Sequence, residues 1–351
     1  MQTSSAASEV EPARVPSWGI WGLAFGYFAC YVPYSALVKA VTQGALPGIP
    51  EKLSSAETLP LMYVASVVCM YGVLTGLGWW RYAPQLELGG WRLPYPSWAL
   101  LPAGLCTAAI TVTTTLAYTF TGVSIVFVML LMRGGVLVLA PLVDLLTGRK
   151  VRWFSLMGLG LSLMALLVAF SDDHHTGLTW VVLLDVGLYL LAYFVRLRLM
   201  TRLAKSSEAD ANRRYFVEEQ LLATPLVVLA LGLLAFWGEG AFMQALRRGF
   251  MESWGHPALW AVLLMGVLSQ GTGIFGGLVL LDPRENTFCV PVNRSSSVLA
   301  GVVAAWVLSV WMGQPPPGAE ELLGAAFILG AILFLTLPPL WEKRQARRRS
   351  S

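Results

Sequence analysis

The sequence predicts an all-α polytopic membrane protein with ten transmembrane helices, arranged as two inverted five-helix repeats. Three observations support this prediction: a shortage of charged residues, ten apolar segments of spanning length, and one pattern that occurs twice. Of the 351 residues, 56% are hydrophobic and only 13% are charged, and the mean hydropathy is +0.64. Soluble domains carry roughly 25% charged residues, so a soluble fold of this length is excluded.

Ten apolar segments are each long enough to cross a bilayer, which takes roughly 20 helical residues. They cover residues 18–41, 59–80, 98–119, 122–146, 153–171, 178–199, 215–237, 258–281, 287–312 and 319–340. The third and fourth are nearly continuous, and we divide them near Gly122 because one helix of that length is too long for a single crossing. Outside the spans we expect an N-terminal segment, 1–17, without the basic region of a secretory signal, and a basic C-terminal tail, 341–351.

Lysine and arginine in the connecting segments predict the orientation, because cytoplasmic loops carry an excess of these residues. With the C-terminal tail inside, alternate connections are rich in basic residues, as at Arg149, Lys150 and Arg152. The opposite connections hold few, and one of them carries the acidic and histidine cluster that runs from Asp172 to His175. We therefore expect an even number of spans with both termini in the cytoplasm.

One pattern occurs twice: an apolar segment with an arginine followed by small residues, then a second apolar segment that begins near a glycine. The first copy contains Arg133-Gly-Gly and the second contains Arg294-Ser-Ser-Ser. A unit of five spans crosses the membrane an odd number of times, so a second copy enters from the opposite side. We expect residues 18–171 and 178–340 to form these inverted repeats; chance similarity of two apolar stretches is the alternative.

This organisation resembles the drug/metabolite transporter superfamily, whose members have ten helices in two five-helix repeats of the EamA type. The resemblance covers most of the chain and is clearest over residues 100–171 and 260–338. It implies transport of a small solute through a site between the two repeats.

A narrower resemblance concerns the two arginine-containing runs. Leu-Met-Arg-Gly-Gly-Val-Leu, at 131–137, resembles the fourth helix of nucleotide-sugar transporters, and Val-Asn-Arg-Ser-Ser-Ser, at 292–297, is similar to the ninth helix of those carriers and of plastid sugar-phosphate translocators. In those families basic residues of the two helices hold a phosphate group. The resemblance implies that Arg133 and Arg294 hold an anion here.

The same arginines also attract attention on physical grounds. A charge at the centre of a membrane helix costs roughly 2.5–3.5 kcal/mol on insertion scales, so it usually faces a cavity or a partner. Guanidinium is planar, stays charged and binds phosphate or carboxylate through two hydrogen bonds. The alternative is a structural ion pair, such as Arg133 with Asp144 or Arg294 with Asp185.

Polar side chains share one face of span 6 and one face of span 1, because residues three or four apart are neighbours on a helix. They are Asp185, Tyr189, Tyr193 and Arg196 in span 6, and Tyr27, Tyr31, Ser35 and Lys39 in span 1. We expect Tyr31, Tyr189 and Asp185 to line a central cavity. Alternatively, the tyrosines are interfacial anchors, and Lys39 and Arg196 extend outward to the headgroups.

Spans 3 and 8 carry hydroxyl side chains and glycines, which favour close helix packing. Thr111 and Gln270 are the members of these sets that we expect at a substrate site. Among the acidic residues, Asp144 lies close to Arg149 and is expected to act as a cap or a local ion-pair partner. Asp185 is the better candidate for carrying a proton. Glu218 and Glu219, near the expected start of span 7, are predicted to be interfacial.

Several classes of protein are not supported by the sequence. It contains no P-loop and no HExxH motif, so neither ATP-driven pumping nor a zincin site is expected. His174 and His175 are assigned to a solvated loop, and no metal or cofactor is expected. The basic residues lie in short segments between spans, which argues against nucleic acid as a partner. The cysteines lack metal or disulfide spacing and are expected to behave as small apolar residues: Cys30, Cys69, Cys106 and Cys289.

We therefore predict a secondary transporter, and no enzyme, in a bacterial inner membrane. Its expected partners are a small anionic substrate and the lipid bilayer, and a homodimer is one possible assembly. The substrate is expected to be phosphorylated or nucleotide-sugar-like. Alternatives are an exporter of amino acids or other metabolites, a flippase for a phosphorylated lipid carrier, and a membrane-embedded enzyme or scaffold. The predicted substrate-binding residues are Arg133, Arg294, Asn293, Tyr31, Tyr189, Asp185, Thr111 and Gln270.

Overall fold

The fold is a bundle of long apolar helices. The computed structural model describes residues 19–49, 51–88, 91–116, 125–171, 180–206, 208–313, 316 and 318–350. Within these ranges six helices are long and apolar enough to cross a membrane: α1 (Ile20–Gln43), α2 (Ser55–Gly76), α6 (Trp180–Leu199, continued by a π turn at Met200–Ala204), α7 (Ala211–Trp237), α9 (Leu259–Leu280) and α10 (Asn286–Met312). The protein is thus an all-α multi-pass membrane protein, as the composition predicts.

Five further α-helices complete the described part of the bundle: α3 (Leu101–Leu116), α4 (Ile125–Leu146), α5 (Trp153–Ser171), α8 (Gly240–Met251) and α11 (Ala319–Ser350). A short antiparallel hairpin, β1 (Gln85–Leu88) and β2 (Trp91–Pro94), precedes α3. The predicted segment 1–17, the division near Gly122 and the loop with His174 and His175 lie outside the described residues. The basic tail predicted after residue 340 continues α11 as a helix as far as Ser350.

Local capping explains one error in the predicted spans. The second span was predicted to start at residue 59, but α2 starts at Ser55. The Ser54 hydroxyl accepts a hydrogen bond from the Glu57 backbone N–H, and the Glu57 carboxylate accepts one from the Ser54 backbone N–H. This capping box satisfies amides that a helix start otherwise leaves without partners, so the helix extends beyond the apolar segment.

Helix α8 is an element that the sequence analysis did not predict. Its 12 residues are too few to cross a bilayer. Ala245, Leu246 and Gly249 are buried, whereas Arg247 and Arg248 are exposed. The helix therefore lies on the bundle with one apolar face, against α2 and α7.

The helices pair across the two halves of the chain in a regular way. Helix α1 packs against α9 and α10, and α6 packs against α3 and α4. Helix α2 packs against α9, and α7 packs against α3. Helices α4 and α10 contact each other, as do α5 and α11. Every long helix of the first half therefore contacts a helix of the second.

Polar side chains join the helices at the end of the bundle that carries the β-hairpin, here named the hairpin end. The Asp144 carboxylate, at the end of α4, accepts hydrogen bonds from the backbone N–H groups of Asn286 (3.0 Å) and Thr287 (2.7 Å). Asp144 therefore acts as a helix cap, and the helix that it caps is α10. Its predicted local pairing with Arg149 is not formed, because that guanidinium donates to the carbonyl of Pro283 instead.

Candidate functional site

A polar cavity of about 270 Å³ lies inside the bundle, between helices α1, α2, α3, α6, α7, α9 and α10. Four of the predicted site residues line it: Thr111, Gln270, Asn293 and Arg294. The structure also places Tyr27, Tyr193 and Arg196 in its wall. The other predicted residues, Arg133, Tyr31, Tyr189 and Asp185, are not among its described lining residues.

Arg294 carries a positive charge on the cavity wall and is held by tyrosines. Its Nη2 donates hydrogen bonds to the hydroxyl oxygens of Tyr193 (2.8 Å) and Tyr189 (3.4 Å). Its guanidinium carbon lies 5.3 Å from the centroid of the Tyr193 ring. None of the eight ion pairs in the described part of the chain includes Arg294, so the expected alternative, a pair with Asp185, is not formed.

Arg133 is held in a similar way, by a tyrosine that stacks on a residue of the cavity wall. Its Nη2 donates a hydrogen bond to the Tyr31 hydroxyl at 3.1 Å. The Tyr31 ring stacks on the ring of Tyr27, with centroids 5.6 Å apart, and Tyr27 lines the cavity. The alternative pairing of Arg133 with Asp144 is not formed, because that carboxylate binds the start of α10.

A glycine lets three helices meet beside Arg294. The Asn293 side-chain amide donates a hydrogen bond to the Gly276 carbonyl at 3.2 Å. A Cβ atom on Gly276 would lie 2.9 Å from the Asn293 Nδ2 and 2.9 Å from the Tyr27 ring. Since real Cβ atoms almost never approach that closely, any larger residue at 276 would force the Asn293 amide and the Tyr27 ring to shift. Residue 276 thereby fixes the orientation of Asn293, which a larger side chain would displace.

A second arginine on the wall, Arg196, has a carboxylate partner. Its Nε and Nη2 donate to the two oxygens of Glu219 at 2.6 and 3.1 Å, and the Thr107 hydroxyl donates to Oε1 at 2.6 Å. The side chains of Arg196 and Glu219 are 7% and 0% exposed. Arg196 therefore does not extend to the headgroups, which overturns the alternative for this residue, whereas Lys39 is exposed as that alternative expects.

Glu218 and Glu219, which the sequence predicts to be interfacial, are both fully buried within the bundle. Helix α7 begins at Ala211, before the apolar segment expected from residue 215, so Glu219 lies about 12 Å along the helix axis from its first residue. Glu218 accepts a hydrogen bond from the Ser97 backbone N–H at 2.7 Å and so links α7 to the segment before α3.

Helix α7 also supplies cavity residues that the sequence analysis missed. Gln220 and Thr224 line the cavity, and the Thr224 hydroxyl lies 3.3 Å from the Gln220 side-chain oxygen. The available signal was the spacing of four residues between them, directly after Glu219, within an apolar helix. Such spacing places polar groups on one helix face.

Asp185 lies inside the bundle and is not paired. It is 7% exposed, whereas the adjacent Leu184 is 74% exposed. The side-chain oxygen Oδ2 has no hydrogen-bond partner within the described residues. Thr111, by contrast, satisfies its hydroxyl by donating to the Thr107 carbonyl of its own helix at 3.0 Å.

The charges around the cavity do not balance within the described residues. Arg196 is neutralised by Glu219, whereas Arg133 and Arg294 are held by neutral phenols. Each guanidinium retains donors suited to an oxyanion. Among the residues that the structure covers, no group of three histidine, cysteine or acidic side chains could hold a metal ion.

The comparisons with known proteins establish the fold alone. No protein-family model and no curated protein sequence matches the chain. A solved structure, described only as "Crystal structure of protein", superposes with a TM-score of 0.57 over 94% of this chain and 99% of its own. Sequence identity in that comparison is 17%, so the likeness extends to the course of the helices and to no activity.

Proposed function

We propose that this protein is a secondary transporter that moves a small anionic metabolite by alternating access, in the manner of the drug/metabolite transporter superfamily that its sequence resembles. The observation that carries the proposal is Arg294: a guanidinium on the wall of an internal cavity, with tyrosine hydroxyls and no described carboxylate around it. A buried charge without a partner is costly, so its presence favours an exogenous counter-ion.

The helix packing supports alternating access between two repeats. We assign α1–α5 of the first repeat, in order, to α6, α7, α9, α10 and α11 of the second. Under this assignment, the packing of α1 against α9 and α10 corresponds to the packing of α6 against α3 and α4. The same rule relates α2 on α9 to α7 on α3. A pseudo-twofold arrangement of this kind lets one central site face either side of the membrane in turn.

The proposed orientation is based on the charge distribution, and the proposed membrane is based on the composition. In our proposal the hairpin end faces the cytoplasm, because the basic connections predicted to be internal include Arg92 of the hairpin and Arg149. Arginine greatly exceeds lysine, as is common in GC-rich bacterial genomes, and we therefore place the protein in a bacterial inner membrane. It is proposed to be a carrier and no enzyme, since the described cavity residues form no convergent acid–base pair for chemistry.

The size and charge of the cavity favour a compact phosphorylated or carboxylated metabolite. Its volume of about 270 Å³ lies below the roughly 300–1,000 Å³ of pockets for drug-sized ligands. A complete nucleotide sugar would need the cavity to enlarge. The described cavity wall offers no carboxylate to the ammonium group of a zwitterionic amino acid, because the nearby Glu219 is already bound by Arg196 and Thr107.

The test is ligand-dependent thermal stability of the detergent-purified protein, with sugar phosphates, carboxylates, nucleotide sugars and zwitterionic solutes as the panel. A ligand at 100 times its Kd stabilises the folded state by about 2.7 kcal/mol. We expect stabilisation by small phosphorylated or carboxylated compounds in the wild type, and its loss in Arg294→Gln and Arg133→Gln.

The matched control is Arg92→Gln, because that side chain is 72% exposed on the hairpin and lies far from the cavity in our assignment. It should respond to ligands like the wild type. Stabilisation by neutral or zwitterionic solutes that survives in both cavity variants would contradict the proposal and would leave a general metabolite exporter with structural arginines.

A further inference from the structure

The buried carboxyl group of Asp185 has no role in the site described so far. Its Oδ2 is inaccessible to solvent and lacks a hydrogen-bond partner in the described structure. Val182 and Val186 on the same face of α6 are also buried, whereas Val181 and Leu184 are exposed. The carboxyl group therefore points into the bundle and does not reach the surrounding lipid or headgroups.

An ionised carboxylate in this position would lack the compensation that buried charges require. Isolated ionised groups cost far more to bury than neutral ones, so they neutralise or find a partner. Ionisable groups within membrane helices usually belong to a substrate or proton pathway. The Glu219 carboxylate shows the paired alternative in the same bundle, with Arg196 and Thr107 as its donors.

The groups that face α6 from its neighbours are few. Helix α6 packs against α3 and α4, touches α10 through Arg294 and touches α7 through the pair of Arg196 with Glu219. Within the described residues, the titratable or charged side chains on these helices and on the following π turn are Cys106 on α3, Arg133 and Asp144 on α4, Arg202 on the turn, Arg213, Arg214, Tyr215, Glu218 and Glu219 on α7, and Cys289 and Arg294 on α10. Asp144 is occupied by the start of α10, and the charged side chains of α7 are in ion pairs, which leaves Arg133 and Arg294 as the buried-side charges without a described carboxylate partner.

Arg133 lies on a neighbouring helix, at nearly the same level of the bundle as Asp185. Gly135 of α4 lies directly against Leu190 of α6, so with a rise of about 1.5 Å per residue Asp185 is level with residue 130 of α4, about 4.5 Å along the axis from Arg133. Leu190 follows Asp185 by five residues, about 140° around a helix of 3.6 residues per turn, so the carboxyl group and α4 lie on different faces of α6.

Arg294 is connected to the same face of α6. Tyr189 follows Asp185 by one turn, and its hydroxyl accepts a hydrogen bond from the Arg294 Nη2 at 3.4 Å. The Tyr189 and Tyr193 ring centroids are 4.9 Å apart. The unpaired carboxyl group is therefore placed one turn behind the two tyrosines that hold the cavity arginine.

We propose that Asp185 is the proton-binding site of this carrier and that its protonation and the binding of the anionic substrate favour each other. Ionised Asp185 adds a negative charge to the interior of the bundle that the anionic substrate also enters, and this charge opposes binding of the anion. One proton bound to a carboxylate oxygen removes that charge. The proposal rests on the proposed function and makes the protein a proton–anion symporter, in which the proton enters and leaves with the anion.

Binding linkage gives the proposal a measurable form. If protonation raises the affinity for the anion by some factor, the anion raises the affinity of Asp185 for its proton by the same factor. With one proton per anion, each pH unit of gradient can drive up to about tenfold accumulation, because a pH unit corresponds to a factor of ten in the proton equilibrium.

The first experiment tests the proton site without any transport. Infrared difference spectra of the purified protein during a pH titration report the carbonyl stretch of protonated carboxyl groups. We expect a band from a dehydrated carboxylic acid in the wild type that is absent in Asp185→Asn and retained in Glu87→Gln, which removes a carboxylate that is 71% exposed. Identical spectra for the wild type and Asp185→Asn would overturn the proton-site assignment.

The second experiment tests coupling in proteoliposomes, with labelled inorganic phosphate as the probe, and reports the ratio of uptake with a pH gradient to uptake without one. We expect a ratio well above one in the wild type and in Glu87→Gln, and a ratio near one in Asp185→Asn. Asp185→Glu, which keeps a titratable group, should recover part of the ratio and shows that a loss in Asp185→Asn is not a folding defect.

The outcomes separate the two proposals. Phosphate exchange without any response to the gradient in the wild type would overturn proton coupling and leave the anion carrier intact. Absence of phosphate exchange and of phosphate-induced stabilisation would count against the anion carrier itself, and with it the coupling, while the infrared result would still decide whether Asp185 binds a proton.

Discussion

Two arginines, one buried and one half-buried, line the same cavity and have opposite surroundings. Arg196 forms two hydrogen bonds with Glu219, whose Oε1 also accepts a bond from Thr107. Arg294 has only tyrosine hydroxyls as described partners. The charge of Arg196 is therefore neutralised within the folded protein, and the charge of Arg294 is not. The difference indicates that Arg196 holds helices α6 and α7 together, whereas Arg294 is available to a ligand.

The comparison also separates stability from function. A buried ion pair contributes little net stability relative to apolar residues, yet removing one partner is strongly destabilising because the other charge is then unpaired. An arginine that already lacks a carboxylate should behave in the reverse way. Its removal costs binding, while the folded state without ligand tolerates or even benefits from the change.

The largest expected effect is on the paired arginine. Glu219→Gln leaves the Arg196 charge buried without compensation, and we expect it to lower the free energy of unfolding by about 3–5 kcal/mol. The double substitution Arg196→Met with Glu219→Gln should recover part of this loss, because it removes both charges. The measurement is unfolding in mixed detergent. If Glu219→Gln alone unfolds like the wild type, the distinction between the two arginines fails.

A smaller effect is expected at the phenols that hold Arg294. Tyr193→Phe removes a hydrogen bond of 2.8 Å to a charged group, and such bonds contribute about 1.5–3 kcal/mol. Tyr189→Phe is the matched control, because its bond is longer, at 3.4 Å. We expect Tyr193→Phe to weaken anion-dependent thermal stabilisation more than Tyr189→Phe does. The reverse order would show that Arg294 is oriented from the Tyr189 side.

The smallest effect is expected at an exposed ion pair. Arg248 of α8 lies 2.7 Å from Glu57 of α2, with side chains 47% and 16% exposed. Exposed pairs contribute about 0.2–1 kcal/mol, so Arg248→Gln should change the unfolding free energy by no more than that. Glu57 is kept because it also caps α2. A loss as large as that of Glu219→Gln would mean that α8 is a structural element of the bundle core.

Much of the fold follows from local sequence properties. Hydropathy and length alone mark the membrane helices, and a charge within an apolar segment, together with the repeated pattern, singles out Arg133 and Arg294. The errors arose where local signals conflict: the capping box at Ser54 starts α2 within polar residues, and α7 extends before its apolar segment.

The sequence by itself determined the class of the molecule, its long helices and the residue types that make a charged cavity plausible, because these depend on composition and on spacing within one helix. Only the tertiary structure decided which charges are paired. Glu219 meets Arg196, Asp144 meets the start of α10, and Arg294 meets tyrosines. Such partners come from different helices, and the choice among them depends on how those helices pack and not on the hydropathy of any one of them.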